Sequence, residues 1–171
     1  MGDVLIVIDM QKDFINGSLG TKEAEAIVDN VKKKVAEYKS QGKKVFFTRD
    51  THSENYLDTF EGKNLPVVHC VKGTAGWEIC DELRNEAVHN QIIDKPTFGF
   101  LNWSDVLPNS INGIEVCGLC TDICVVSNVL ILRATYPELP ITVDSKCCAG
   151  VTPEKHEAAL EVMRSCQIEI V

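Results

Sequence analysis

The sequence predicts an α/β fold: a six-stranded parallel sheet, doubly wound into a single-domain, three-layer arrangement with helices on both faces. Three observations carry this expectation. Val4-Leu5-Ile6-Val7-Ile8 is an unbroken apolar run rich in β-branched residues, the pattern of a strand buried on both faces. Strand-like and helix-like segments then alternate along the chain, without repeats or linker-like stretches. Right-handed crossovers leave double winding as the simplest topology. A length of 171 residues fits one domain, 1–171, with a core large enough to need no staples.

The first strand ends at Asp9. Thr21 to Gln41 reads as a helix, with Ala24, Ile27, Val28, Val31, Val35 and Tyr38 on one stripe and Gly42 as its stop. Val45-Phe46-Phe47-Thr48 is the second strand, ending in Arg49-Asp50. Residues 51–76 lack periodicity and hold many turn formers, which predicts a long functional loop. A helix from Trp77 to Val88 precedes strand Gln91–Asp94, which ends at Lys95. Ile114 to Leu119 is the fourth strand, followed by a helix from Thr121 to about Thr135. Ile141-Thr142-Val143 is the fifth strand. Thr152-Pro153 supplies an N-cap and an N1 proline for a helix to Ser165, and Gln167 to Val171 closes the sheet.

Composition narrows the partners. The net charge of −8 argues against nucleic acid, which needs clustered Lys and Arg. The basic cluster Lys32 to Lys34 reads as a solvated helix face. No apolar run reaches the roughly 20 residues of a membrane span, and the start has no signal-peptide pattern. Eight cysteines in apolar contexts, without a secretion signal, predict reduced thiols and a cytoplasmic protein. The partner these exclusions leave is a small molecule, with a homo-oligomer left open.

A doubly wound sheet places ligands outside the carboxyl ends of its strands. Polar residues there are Asp9, Asp50, His52, Lys95 and the stretch Gly118 to Cys124. Cys124 is the candidate nucleophile. It falls in the first turn of a helix, where the dipole and free N–H groups lower a thiol pKa and hold an oxyanion. A cysteine nucleophile needs a proton acceptor, and the acceptor needs a partner that fixes its charge. Asp9 and Lys95 meet those needs. Asp50-x-His52, with His69 seventeen residues later, is a carboxylate and two imidazoles, a donor set suited to Zn²⁺, Fe²⁺ or Mn²⁺.

Val7-Ile8-Asp9-Met10-Gln11-Lys12-Asp13-Phe14 resembles the opening motif of the isochorismatase-like cysteine hydrolases, and Gly118-Leu119-Cys120-Thr121-Asp122-Ile123-Cys124-Val125 resembles their nucleophile loop. The resemblance spans essentially the whole chain. It implies the isochorismatase-like fold and a catalytic triad of Asp9, Lys95 and Cys124. It also implies a cis peptide between Leu119 and Cys120, which turns the Cys120 and Cys124 N–H groups toward the oxyanion.

Thr48-Arg49-Asp50-Thr51-His52 and Val68-His69-Cys70-Val71-x-Gly73-Thr74-x-Gly76 resemble the metal segments of nicotinamidases within that family. This implies one divalent metal on Asp50, His52 and His69, zinc first with iron or manganese as alternatives. Glu61 lies between the two histidines as a candidate fourth ligand, with Asp58 and Glu54 as rivals. Phe14, with Phe98 or Phe100, is expected to flank a flat substrate ring. His89 and His156 fall on predicted helices and read as structural. The expected reaction is hydrolysis of nicotinamide to nicotinate and ammonia through a cysteine thioester. One departure stands out. Nicotinamidases often carry a Trp shortly before the His69 position, and Asn64-Leu65-Pro66-Val67-Val68 has no aromatic. That keeps open a family amidase acting on a carbamoyl or ureido compound. A non-catalytic binding protein on the same fold is the rival from a different class.

Overall fold

The computed structural model describes residues 2–87 and 91–171. His89, and the Val88 end of the helix expected from Trp77, lie outside the described residues. Six strands appear among those described: β1 (Val4–Ile8), β2 (Lys44–Asp50), β3 (Ile92–Lys95), β4 (Ile114–Leu119), β5 (Ile141–Ala149) and β6 (Glu169–Ile170). All pair in parallel, in the order β3-β2-β1-β4-β5-β6. The helices are α1 (Lys12–Ile15), α2 (Lys22–Ser40), α3 (Phe60–Asn64), α4 (Asp81–Arg84), α5 (Trp103–Val106), α6 (Val126–Thr135) and α7 (Pro153–Ser165).

The chain leaves β1 toward β2 in one direction and β4 toward β5 in the other. With right-handed crossovers, these opposite steps put α2 on one face and α6 and α7 on the other. Every residue of β1 is buried, as its apolar run requires of a strand covered on both sides. The α2 stripe packs on the sheet, and Thr21 caps the helix by accepting the Ala24 N–H at 3.0 Å. Thr152 does the same for α7 through the Lys155 N–H, with Pro153 behind it.

The order reverses between β1 and β4, so their carboxyl ends open a crevice at the switch point. Gly118 makes that approach possible. Its φ is +117°, and a Cβ there would overlap the Ile8 carbonyl oxygen across the ladder. Asp9 follows at once, with a left-handed φ of +47° that ends the strand and turns the chain.

Several expectations are corrected. Residues 51–76 are not wholly irregular: Tyr56–Asp58 forms a 3₁₀ turn and α3 follows. Thr59 caps α3 through the Gly62 N–H at 2.9 Å, and the buried Tyr56 donates its hydroxyl to the Leu65 carbonyl. Local caps build these short turns, and hydrophobic periodicity is blind to elements this short. The helix expected from Trp77 shrinks to α4. Backbone bonds from Lys12 N–H to Glu78 and from Cys80 N–H to Met10 take residues 78–80 into an extended partner of the chain after β1. β5 runs six residues beyond Val143, and β6 keeps only Glu169–Ile170.

Lys34 is not part of a solvated face. It turns inward to an ion pair with Glu115 and another with Asp144 at 2.7 Å, while Tyr38 donates its hydroxyl to Glu115 at 2.5 Å. All eight cysteines are free thiols. No helix among the described residues is long and apolar enough to cross a membrane.

Candidate active site

Strand ends deliver the site. Asp9 follows β1, Asp50 ends β2, Lys95 ends β3 in register with Asp50, and Cys124 lies in the turn after β4. Asp9, Lys95 and Cys124 meet beneath the crevice. Lys95 Nζ stands 2.6 Å from Asp9 Oδ2, 3.5 Å from Cys124 Sγ and 3.7 Å from Asp50 Oδ1. Thr48 donates its hydroxyl to Asp9 Oδ1 at 2.6 Å and accepts the Asp9 N–H at 3.2 Å. The Asp9 carboxylate is thus held from both sides.

Burial governs the protonation of this trio. It pushes the Asp9 carboxyl up, against the pull of the Lys95 ammonium. It would also discharge Lys95, but Asp9, Cys124 and Asp50 outweigh it and keep the ammonium charged. The expected low-pKa thiolate is corrected. Burial first, and the Asp9 charge second, push the Cys124 thiol well above its ordinary value, with Lys95 opposing. The resting group is a neutral thiol beside a carboxylate whose basicity burial has raised.

The turn that carries Cys124 is also wider than a first α-helical turn. The Val125 N–H reaches back five residues to the Cys120 carbonyl at 3.1 Å, so Thr121–Val125 is a single π turn before α6. Such turns recur at functional sites because they displace side chains from the regular helical ladder. No cis peptide occurs among the described residues, so the expected cis bond between Leu119 and Cys120 is corrected to trans. A non-proline cis bond costs about 3–4 kcal/mol. Here Cys120, extended at φ −86° and ψ 146°, already makes the bend, and its carbonyl accepts the Ile123 and Val125 N–H groups.

Beside the trio sit Asp50, His52, Glu61 and His69, with one potential ligand atom from each all within 4.8 Å of one another. It is the sole such group among the described residues, so neither Asp58 nor Glu54 belongs to it. Asp50 Oδ2 lies 2.9 Å from His52 Nε2 and 3.6 Å from His69 Nε2. Glu61 Oε1 lies 3.6 Å and 3.8 Å from the same two nitrogens. Tyr56 packs its ring on both imidazoles, with centroids 4.6 Å and 4.9 Å away.

The group fits a divalent cation on three counts. Asp50 Oδ1 is buried without a hydrogen-bond partner. His69 Nδ1 faces the Val67 carbonyl at 2.8 Å, which can only accept, so the proton sits on Nδ1 and the Nε2 lone pair faces the carboxylates. Two imidazoles and two carboxylates are also a donor set of borderline hardness. Electrostatics agree. Burial opposes charge on Asp50, yet the His52 hydrogen bond, the neighbouring His69 and the Lys95 ammonium hold its carboxyl well below the usual range. Burial and the Asp50 charge push the Glu61 carboxyl up.

A cavity of about 280 Å³ opens above both clusters. Cys124, Cys120, Asp50, Glu61 and His69 line one part of it. Phe14, Leu19, Leu65, Phe98, Ile123 and Val151 supply the apolar wall, and the exposed Lys155 stands on the rim. Phe14 tilts against the His69 ring at 5.5 Å. Phe100 is corrected out of the cavity lining: its ring packs edge-on against Trp103 at 5.1 Å, and its N–H is held by Asn128 Oδ1 at 2.9 Å. His156 is on α7, where its Nδ1 pairs with the Thr121 hydroxyl at 2.8 Å. Sequence reasoning missed Thr48, Tyr56 and Lys155. Thr48 opens a quoted motif but was given no role there, whereas nothing local marks a residue of α7 as facing this crevice.

Fold and site together define a class: a three-layer α/β protein with a thiol, a carboxylate and an ammonium at the strand ends, next to a carboxylate–imidazole cluster. The sequence profile of the Isochorismatase domain matches residues 3–171, and the chain belongs to the isochorismatase family of hydrolases. It is 27% identical over 185 residues to the nicotinamidase/pyrazinamidase of Mycobacterium tuberculosis (strain ATCC 25618 / H37Rv), covering 98% of this chain and 97% of the relative. The pyrazinamidase of Pyrococcus horikoshii, solved in complex with zinc, superposes with a TM-score of 0.82 at 30% identity, over 98% of this chain and 97% of that one. The N-carbamoylsarcosine amidase of Thermoplasma acidophilum superposes with a TM-score of 0.80 at 27% identity, over 98% of this chain and 94% of that one.

Proposed function

We propose that this protein is a cysteine amidase that hydrolyses nicotinamide to nicotinate and ammonia. The observation that carries the reading is that Cys124, with Lys95 and Asp9 packed behind it, lines a cavity together with Asp50, Glu61 and His69. Asp9 takes the proton of the Cys124 thiol, and the sulfur attacks the carboxamide carbon. A C–S bond forms as the carbonyl electrons move to oxygen; the Cys120 and Cys124 N–H groups, carried here on a trans Leu119–Cys120 bond, are the donors this reading assigns to the oxyanion. As the carbonyl re-forms, the C–N bond breaks and Asp9 returns its proton to the departing nitrogen, releasing ammonia. Water then gives a proton to Asp9 and its oxygen to the thioester carbon. The C–S bond breaks, and Cys124 regains the proton as nicotinate leaves.

The neutral resting thiol suits this cycle. The proton passes from sulfur to Asp9, and Lys95 steadies the charge on either partner. Asp50, His52, His69 and Glu61 would hold a divalent cation, zinc first, which when bound offers an acceptor for the pyridine nitrogen lone pair. Phe14 and Phe98 bracket the ring, fixing the carboxamide above Cys124 and making the attack effectively intramolecular.

A second reading has its own observation. Lys155 stands on the rim of a cavity whose 64–68 stretch contributes Leu65 and no aromatic. A carbamoyl or ureido acid would place its carboxylate near that ammonium. Ammonia release from a panel separates the readings: nicotinamide, pyrazinamide, benzamide, N-carbamoyl amino acids and ureidoacrylate. Nicotinamide and pyrazinamide well above benzamide supports the first reading. Turnover of the carbamoyl or ureido acids alone replaces it with the second.

A further inference from the structure

The motif Asp9-x-Gln11-x-Asp13-Phe14 supplies a proton acceptor and a ring contact, and leaves two polar side chains without an assigned task. Gln11 is fully buried. Its Oε1 accepts the Asp50 N–H at 2.7 Å, and its Nε2 donates to the Asp50 carbonyl and to the Trp77 carbonyl, both at 2.9 Å. Strand β1 has ended at Ile8, so the edge of β2 at Asp50 has lost its neighbour on that side. The Gln11 carboxamide takes that place. It pairs with both backbone groups of Asp50, the N–H and the carbonyl that a continuing β1 would have met. On the opposite edge, Asp50 stays in register with Lys95.

Asp13 does the corresponding work for the second ligand segment. Its Oδ2 accepts the Cys70 N–H at 2.8 Å, next to His69, and its own N–H donates to the Gly76 carbonyl at 3.0 Å. Cys70 has a left-handed φ of +47°, a conformation that needs an external tie in a residue with a side chain. Gly76 is shaped to this carboxylate, because a Cβ there would run into the Asp13 carboxyl group. Neither Gln11 nor Asp13 is among the four clustered ligand residues.

We propose that Gln11 and Asp13 are positioning residues of the metal cluster. Gln11 fixes the backbone of Asp50, Asp13 fixes the backbone beside His69, and together they hold ligands from two distant segments in one constellation before a cation arrives. The proposal rests on the metal reading above. Partners of this kind typically change metal affinity by about 10–100-fold when removed.

The test is zinc affinity, measured on the folded protein by competition with a chromophoric chelator, alongside the urea midpoint. Gln11→Glu keeps the acceptor for the Asp50 N–H and loses both donations; about a tenfold loss of zinc affinity is expected. Gln11→Met loses all three bonds and is expected to lose more. Asp13→Ala is expected to lose about tenfold, and Asp13→Asn, which keeps an acceptor oxygen, to recover most of it. A merely structural role would lower the urea midpoint, leave zinc affinity of the folded protein unchanged, and show no recovery in Asp13→Asn. Gln11→Glu and Asp13→Asn are close in shape to the parent and keep the test open should Gln11→Met not fold. Parent-level zinc affinity in folded Gln11→Glu and Asp13→Ala overturns the positioning role alone. A parent protein that binds no zinc overturns the metal reading and this proposal with it.

Discussion

The Lys95 ammonium lies 2.6 Å from the Asp9 carboxylate, and neither side chain is exposed to solvent. Each is left uncompensated if the other is removed. Asp9→Asn is therefore expected to act twice. It should lower kcat by about 10²–10⁴-fold through loss of the proton acceptor. It should also cost about 3–5 kcal/mol of stability by stranding a buried ammonium. Steady-state ammonia release and urea unfolding on the same preparation check both, and an Asp9→Asn protein with parental kcat removes Asp9 from the chemistry.

The Lys34–Asp144 pair gives a pH dependence with a definite sign. Burial would raise the Asp144 carboxyl, but the Lys34 hydrogen bond and charge outweigh it and hold it below its unfolded value. Its stabilisation is complete above the unfolded value of about 3.9 and is lost as pH falls through the lower folded one. The urea midpoint should therefore fall more steeply in the parent than in Asp144→Asn as the pH drops below about 3.9. Parallel curves would mean that the pair contributes nothing.

Removal of the metal should reduce turnover of nicotinamide strongly, with recovery on adding zinc back. His52→Ala should lower bound zinc, because it removes one of four clustered ligand atoms. Elemental analysis after dialysis against a chelator, paired with ammonia release, is the measurement. Full activity in protein shown to be metal-free would take the cation out of the reaction.

Gly118→Ala is expected to damage stability and turnover together. Its φ of +117° is unfavourable for alanine, and the added methyl would press on the Ile8 carbonyl just before Asp9. Strain of this kind costs about 1–3 kcal/mol before any displacement of Asp9. Thermal unfolding and kcat, compared with the parent, check it. An unchanged unfolding temperature would contradict the close approach of β4 to β1.

The sheet was legible because its central strands are long apolar runs, such as Val4–Ile8, bounded by polar residues. The same logic made Asp9, Asp50, Lys95 and Cys124 readable as neighbours, since parallel strands end at one edge. Features decided by tertiary contact were not legible. Helical periodicity from Trp77 lost to backbone pairing with Met10 and Lys12. Lys34 looked solvated among lysines, yet Glu115, eighty-one positions away, draws it inward. Phe100 matched Phe98 as a ring contact, and only the fold places it against Trp103. The Cys124 thiol looked activated by a helix terminus, and burial reverses the direction.

The central claim is hydrolysis of an aromatic carboxamide by the Cys124 thiol. Its most direct test is ammonia and nicotinate formed from nicotinamide by the parent protein and by Cys124→Ala, both confirmed folded by circular dichroism and supplied with zinc. The account predicts equimolar ammonia and nicotinate from the parent and loss of essentially all turnover in Cys124→Ala. Ammonia formation undiminished in Cys124→Ala, or none from the parent, would contradict it.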